Sequence, residues 1–269
     1  MIRGLLRYVY RNLLPLQIKS YLDLFKNLRN NSYESLNEKN ILVLSPHPDD
    51  DIIGCGSTLH RYHKKGTTIT VVYMTDGGLG HPSYNRNDLV ITRKEEAERA
   101  AKIIGINRLI FLKNKDTELS SSPNTVNELS IILNDIKPEA IFLPFFTDNH
   151  ADHIATNEIF LSASKKYNKN MMCYGYEIWT PLMSPNCIVD ITSFLDVKKH
   201  ALEQHQSQIS QSPIIEAAIG LARYRGVLHS LQDRYAEAFF QCSLSEYRHL
   251  SEIADYKYHA NIGDPQWKT

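Results

Sequence analysis

From Asn40 onward, short runs rich in β-branched residues alternate with longer stretches of helical periodicity, an order that restricts the chain to βαβ units and a mostly parallel sheet. The spacing predicts strands near 40–45, 69–75, 108–112, 140–144, 172–179 and 186–191. Helices are expected near 54–65, 92–104, 124–136, 153–167, 195–206 and 213–230, with Gly66, Gly105 and Pro138 as punctuation after the first three. The fold class is therefore α/β. Such a sheet binds ligands beyond the carboxyl ends of its strands.

Two polar clusters fall at such ends. Ser45-Pro46-His47-Pro48-Asp49-Asp50-Asp51 follows the apolar run Ile41–Leu44, and Asp148-Asn149-His150-Ala151-Asp152-His153 follows Ala140–Pro144. So many carboxylates in so few positions are costly unless a cation sits among them. Imidazole and carboxylate suit zinc, and a catalytic zinc takes three protein ligands with one position open; His47, Asp50 and His153 supply that set. Asp49, one residue from a ligand, is placed to take a proton from water and is the candidate general base. His150 and His153, three apart on a first helical turn, project to one side, so one ligates while the other faces substrate. A protonated His150 oriented by Asp152 would stabilise an oxyanion.

The tract Ser45–Asp51 resembles the (A/S)HPDD(E) motif of the PIG-L/LmbE-like zinc-dependent N-acetylglucosamine deacetylases, and His150-Ala151-Asp152-His153 resembles their HxDH motif. Thr75-Asp76-Gly77, Arg93-Lys94-Glu95-Glu96, Tyr176–Pro181, Val189–Thr192, His205-Gln206-Ser207-Gln208 and Ala236-Glu237-Ala238-Phe239 extend the likeness over about residues 40–240. The resemblance implies a Rossmann-like three-layer α/β/α fold, here with an N-terminal helical segment and C-terminal helices added. It also implies one Zn2+ per chain on His47, Asp50 and His153, Asp49 as base, and His150 as the oxyanion-stabilising histidine. Arg93 matches an arginine that contacts the sugar in some members. The implied reaction removes the N-acetyl group of an N-acetylglucosamine-type conjugate and releases acetate. Asp51 stands where the family usually has Glu, and Asp148 where some members have Tyr.

Thirty Lys and Arg balance thirty Asp and Glu, which leaves no electrostatic footprint for nucleic acid. Cys55, Cys173, Cys187 and Cys242 have no CxxC spacing and read as buried thiols of a reducing compartment. No apolar run approaches the roughly 18–20 residues that span a bilayer, and Arg3, Arg7 and Arg11 interrupt any signal-peptide core. The expected location is cytoplasmic. Met1–Asn30 carries six basic residues and one acid on an amphipathic helical pattern. That segment is expected to pack on the parent domain or another copy in a homo-oligomer; peripheral contact with an anionic membrane is the alternative. The division expected is a basic segment with linker at 1–39 and a catalytic domain at 40–269.

Gly77-Gly78-Leu79-Gly80 lacks the ending of a phosphate loop and is read as a loop at the site entrance. His60 and His63, among Arg61, Lys64 and Lys65, are assigned to a solvated helix face rather than a second metal site. Trp179 suits either stacking on a sugar or the core. Two other functions remain open to this sequence: a two-metal phosphoesterase, and an inactive glycan-binding or scaffold protein of the same fold.

Overall fold

The structure is a computed structural model that describes residues 37–229 and 234–250. The basic N-terminal pattern at Met1–Asn30 lies outside the described residues. The strands are β1 (Asn40–Ser45), β2 (Thr68–Thr75), β3 (Arg108–Asn114), β4 (Ala140–Pro144), β5 (Met172–Tyr176), β6 (Cys187–Asp190) and β7 (Ala236–Ser243). The helices are α1 (Asp50–Lys64), α2 (Arg86–Ile104), α3 (Pro123–Ile136), α4 (Ala151–Ser164), α5 (Leu195–Leu202), α6 (Gln206–Ile209) and α7 (Ile214–Leu228).

The seven strands form one sheet in the order β3-β2-β1-β4-β5-β7-β6. β1 to β5 run parallel, while β7 is antiparallel to both β5 and β6. Alternate residues of β1 feed opposite faces. Leu42 and Leu44 join a core with Leu129 and Leu133 of α3 and Ile159 and Phe160 of α4. Ile41 and Val43 join one with Leu59 of α1, Ala97 of α2, Leu202 of α5 and Ala222 of α7. Helices thus cover both faces of a mostly parallel sheet, as its continuously apolar strands require.

Helix starts follow their capping residues. Asn85 caps α2 through Asn87 N–H, and Ser122 caps α3 with Pro123 in its first turn. Gly105 ends α2 at φ 89°, a left-handed conformation that favours glycine. Two expectations need correction. The 172–179 strand stops at Tyr176, because the backbone then turns to deliver Trp179 N–H to Asp148 (3.0 Å). β7 was not expected as a strand at all; it enters the sheet between β5 and β6.

The chain leaves β1 for β2 on one side and returns to β4 on the other, so β1 and β4 flank the point where strand order reverses. A crevice outside the carboxyl ends opens at such a point. Both polar clusters stand there.

Candidate active site

At the end of β1 the tract is pinned to its neighbour: Pro46 O accepts from Thr75 N–H (3.0 Å) and Thr75 Oγ1 (2.8 Å). His47 N–H donates to Asp50 Oδ2 (2.9 Å), folding the Asp50 carboxylate back toward the Nδ1 edge of the imidazole. Asp49 occupies the N-cap position of α1 yet makes no capping bond. A capping aspartate ordinarily accepts an N–H two or three residues on. Here the carboxylate accepts from Arg93 Nη2 (2.8 Å).

At the end of β4, His150 caps α4, its Nδ1 accepting from Asp152 N–H (3.2 Å). An accepting Nδ1 leaves the proton of the neutral ring on Nε2. Asp148, buried, accepts from His150 N–H (3.1 Å) and brings Oδ1 to 3.5 Å from His153 Nδ1.

The clusters interlock through His47. Its Nδ1 lies 3.1 Å from Asp50 Oδ2, and its Nε2 lies 3.0 Å from Asp152 Oδ2 and 3.2 Å from Asp116 Oδ1. His153 Nε2 lies 3.3 Å from the same Asp50 oxygen. Burial alone would lower the His47 pKa, but hydrogen bonds to Asp116, Asp152 and Asp50 lift it well above the ordinary value. For His153 burial is likewise outweighed, by Asp50 and Asp148, and its pKa rises to about 9. Asp50 is held well below the carboxylate range, burial opposing and His153 and His47 prevailing. The electrostatics therefore ask for positive charge at this place.

A metal ion fits the donors. A tetrahedral zinc site with bonds of about 2.0–2.1 Å has donor–donor edges of about 3.3–3.4 Å, close to the 3.1 and 3.3 Å from Asp50 Oδ2 to the nitrogens of His47 and His153. His153 Nε2 is buried without a hydrogen bond, so it is available to a metal, while Nδ1 faces Asp148. The donor atoms of His47, His150 and His153 also lie within 4.8 Å of one another, as do those of His47, Asp116 and Asp152. The sequence-predicted set is thus gathered in one place, together with Asp116, which sequence reasoning missed. Its signal was its position two residues past the carboxyl end of β3.

Three expected roles change. Asp152 does not orient His150 through its carboxylate, which instead bonds His47 and the N–H groups of Thr117 (2.8 Å) and Leu119 (3.3 Å). His150 is not poised as an imidazolium: burial first, then His47 and His153, lower its pKa. Arg93, expected on the sugar, lines the cavity but is only 2% exposed, with Nη2 bonded to Asp49 and Nη1 to Gly77 O (3.2 Å). Gly77 makes that approach feasible, with φ 63° and an absent Cβ that would stand 2.8 Å from Arg93 Nη1.

Around this core, Asp51 is fully buried and turned to Ser45 Oγ (3.4 Å) and Tyr73 Oη (3.2 Å). Burial, reinforced by Asp49, raises its pKa to about 7. His60 is also not solvated: it is buried, with Nδ1 2.9 Å from Ile104 O. The loop after β2 is fastened by Arg86 to Asp76 (2.5 Å) and by His81 to Gln211 (2.6 Å). A cavity of about 410 Å³ opens over the cluster, lined by His47, Asp49, Asp50, Asp116 and His150 with Leu79 and Trp179 at its edge. That volume lies in the range of small-molecule sites.

Residues 42–164 match the PIG-L family, described as GlcNAc-PI de-N-acetylase. The chain is 32% identical over 179 residues to the uncharacterized deacetylase YaiS of Escherichia coli K12, an alignment covering 63% of this chain and 91% of that protein. The fold is similar to N,N'-diacetylchitobiose deacetylase of Pyrococcus horikoshii, with a TM-score of 0.70 at 25% identity over 85% of this chain and 94% of that one. It is also similar to GalB, the 4-carboxy-2-hydroxymuconate hydratase of Pseudomonas putida KT2440, with a TM-score of 0.66 at 23% identity over 77% and 96% of the two chains. At that identity the second likeness concerns the fold alone.

Proposed function

Because the chain belongs to the PIG-L family, we propose that it is a metal-dependent N-deacetylase that hydrolyses the acetamide of an N-acetylglucosamine-type conjugate. The observation that carries the reading is the pairing of Asp49 with Arg93 at a cavity that His47 and Asp50 also line, with the buried His153 directly behind Asp50. One zinc ion held by those three residues would polarise the amide carbonyl and acidify a water molecule next to it.

The chain's own residues supply the rest. Asp49 accepts the proton of the attacking water as the water oxygen bonds to the carbonyl carbon. Arg93 keeps the carboxylate fixed and aimed at the cavity. Nε2–H of neutral His150 donates to the carbonyl oxygen as negative charge builds there. When the C–N bond breaks, the proton held by Asp49 passes to the departing amine, leaving acetate and a free amino sugar. Asp152, through His47, is a positioning residue in this scheme, and Asp148 serves His153 in the same way.

A two-metal phosphoesterase is disfavoured. The two candidate donor groups share His47, so a second ion would need that imidazole to bridge, on opposite nitrogens, a pair that phosphoester sites hold only about 3.5–4 Å apart. The inactive-scaffold alternative leaves the uncapped, Arg93-bound Asp49 without a purpose.

The test is an acetate-release screen of the zinc-loaded protein across N-acetylhexosamine conjugates, with metal content measured alongside. One zinc per chain and equimolar acetate and amine are expected. Water addition to an unsaturated acid with no amide hydrolysis, the chemistry named for GalB, would overturn the reading.

A further inference from the structure

The cavity over the metal-ligand cluster continues beneath α7, where its wall is Ile53 of α1, Ile178, and Ile214, Ala218, Leu221 and Ala222 of α7. The ionic groups in that wall are already engaged. Lys198 Nζ donates to Ile53 O (2.7 Å) and Glu237 Oε1 (2.6 Å), and Glu237 also accepts from the N–H groups of Ser57 (3.1 Å) and Thr58 (2.8 Å). Glu177 is held by Arg225 and by Leu182 N–H (2.6 Å). The glutamines that also line the cavity, Gln208 and Gln211, stand against the loop at Gly80 and His81.

A group entering beneath α7 therefore meets mainly hydrocarbon and ion pairs that satisfy one another, with the exposed Ser212 as the further polar side chain at that end of the lining. A hydroxylated substituent would give up its water there for few replacement hydrogen bonds, at a cost in affinity. An alkyl substituent gives up nothing polar. At the mouth, Leu79 and Trp179 are each more than half exposed, extending the apolar surface outward from the site.

We infer that this branch receives a hydrocarbon aglycone, so that the preferred substrate is an N-acetylglucosaminide with an alkyl chain as its leaving-side substituent. The inference rests on the deacetylase reading and narrows it. The catalytic end of the cavity takes the acetamide and sugar, and the wall of α7 takes the chain.

The experiment compares the methyl and octyl glycosides of N-acetylglucosamine, the latter below its micellar concentration, with zinc-loaded protein. Each methylene moved from water into the branch is worth about a fourfold gain, so burial of only three gives roughly 60-fold in kcat/KM, carried by KM. The ratio of the two substrates should fall toward one in Leu221→Glu. Ala217→Glu, on an exposed position of the same lining helix, provides a second charge at the lip should the first variant fail to fold. Turnover of both glycosides with equal kcat/KM overturns the inference and leaves deacetylation standing. Absence of acetate from both overturns deacetylation, and calorimetric titration of both glycosides then decides the branch: tighter octyl binding supports it, equal affinity overturns it.

Discussion

Arg93 Nη2 lies 2.8 Å from Asp49 Oδ1, with both residues nearly excluded from solvent. Burial raises the Asp49 pKa, the Arg93 charge pulls it back, and Asp50 and Asp116 push it up again. Arg93→Met removes the larger of the two opposing charges and leaves His47 as the other, so the Asp49 pKa must rise further. The acid limb of the kcat/KM profile is expected to move to higher pH, with a stability loss of about 3–5 kcal/mol for the unpaired buried carboxylate. A limb that stays put or moves to lower pH would contradict the assignment.

Metal should stabilise the fold. At free zinc 100-fold above its Kd the native state gains about 2.7 kcal/mol, and for a chain of this size that raises Tm by roughly 5–10 °C. His153→Ala should abolish the shift and the bound metal together. A zinc-dependent Tm that survives in His153→Ala would mean that the ion binds elsewhere.

Lys198 and Glu237 take both ends of one rung of α1, Ile53 O and Ser57 N–H. Lys198→Met strands a buried carboxylate and is expected to cost about 3–5 kcal/mol in urea unfolding. Combining it with Glu237→Gln should recover part of that loss. Additive effects of the two substitutions would show that the pair is not coupled.

His205 is fully buried, neither ring nitrogen has a hydrogen-bond partner, and burial with Arg93 and Arg99 nearby lowers its pKa to about 3. The unfolded chain protonates it near 6.5 while the folded chain does not, so its stabilising contribution is complete above that pH and is lost as pH falls toward 3. The expected loss is about 4–5 kcal/mol. In metal-free protein, unfolding free energy should fall less between pH 7 and pH 4 in His205→Leu than in the parent chain. Equal falls would rule out the buried neutral imidazole.

How far the sequence reveals this architecture follows from what is local. The strand ends carrying His47 and His150 are legible because an apolar run stops abruptly in titratable residues, and their meeting follows from parallel β1 and β4 being adjacent. β7 was not legible: its Ala236-Glu237-Ala238 start puts a buried carboxylate in a strand, and only Lys198 and the N–H groups of α1 explain it. Asp116 was hidden for the same reason, a lone acid in a loop whose partner His47 is distant in sequence. The destinations of the Asp152 carboxylate and the Arg93 guanidinium were equally tertiary. Spacing brought Asp152 beside His150, yet the turn of α4 carried its carboxylate to His47.

The measurement that bears most directly on the account is acetate release by Asp49→Asn beside the parent protein, both loaded with zinc and assayed for metal. Asparagine keeps the shape of Asp49 but cannot take the proton, so turnover should fall about 10²–10⁴-fold with one zinc per chain retained. Unchanged turnover in the zinc-loaded variant would contradict the account.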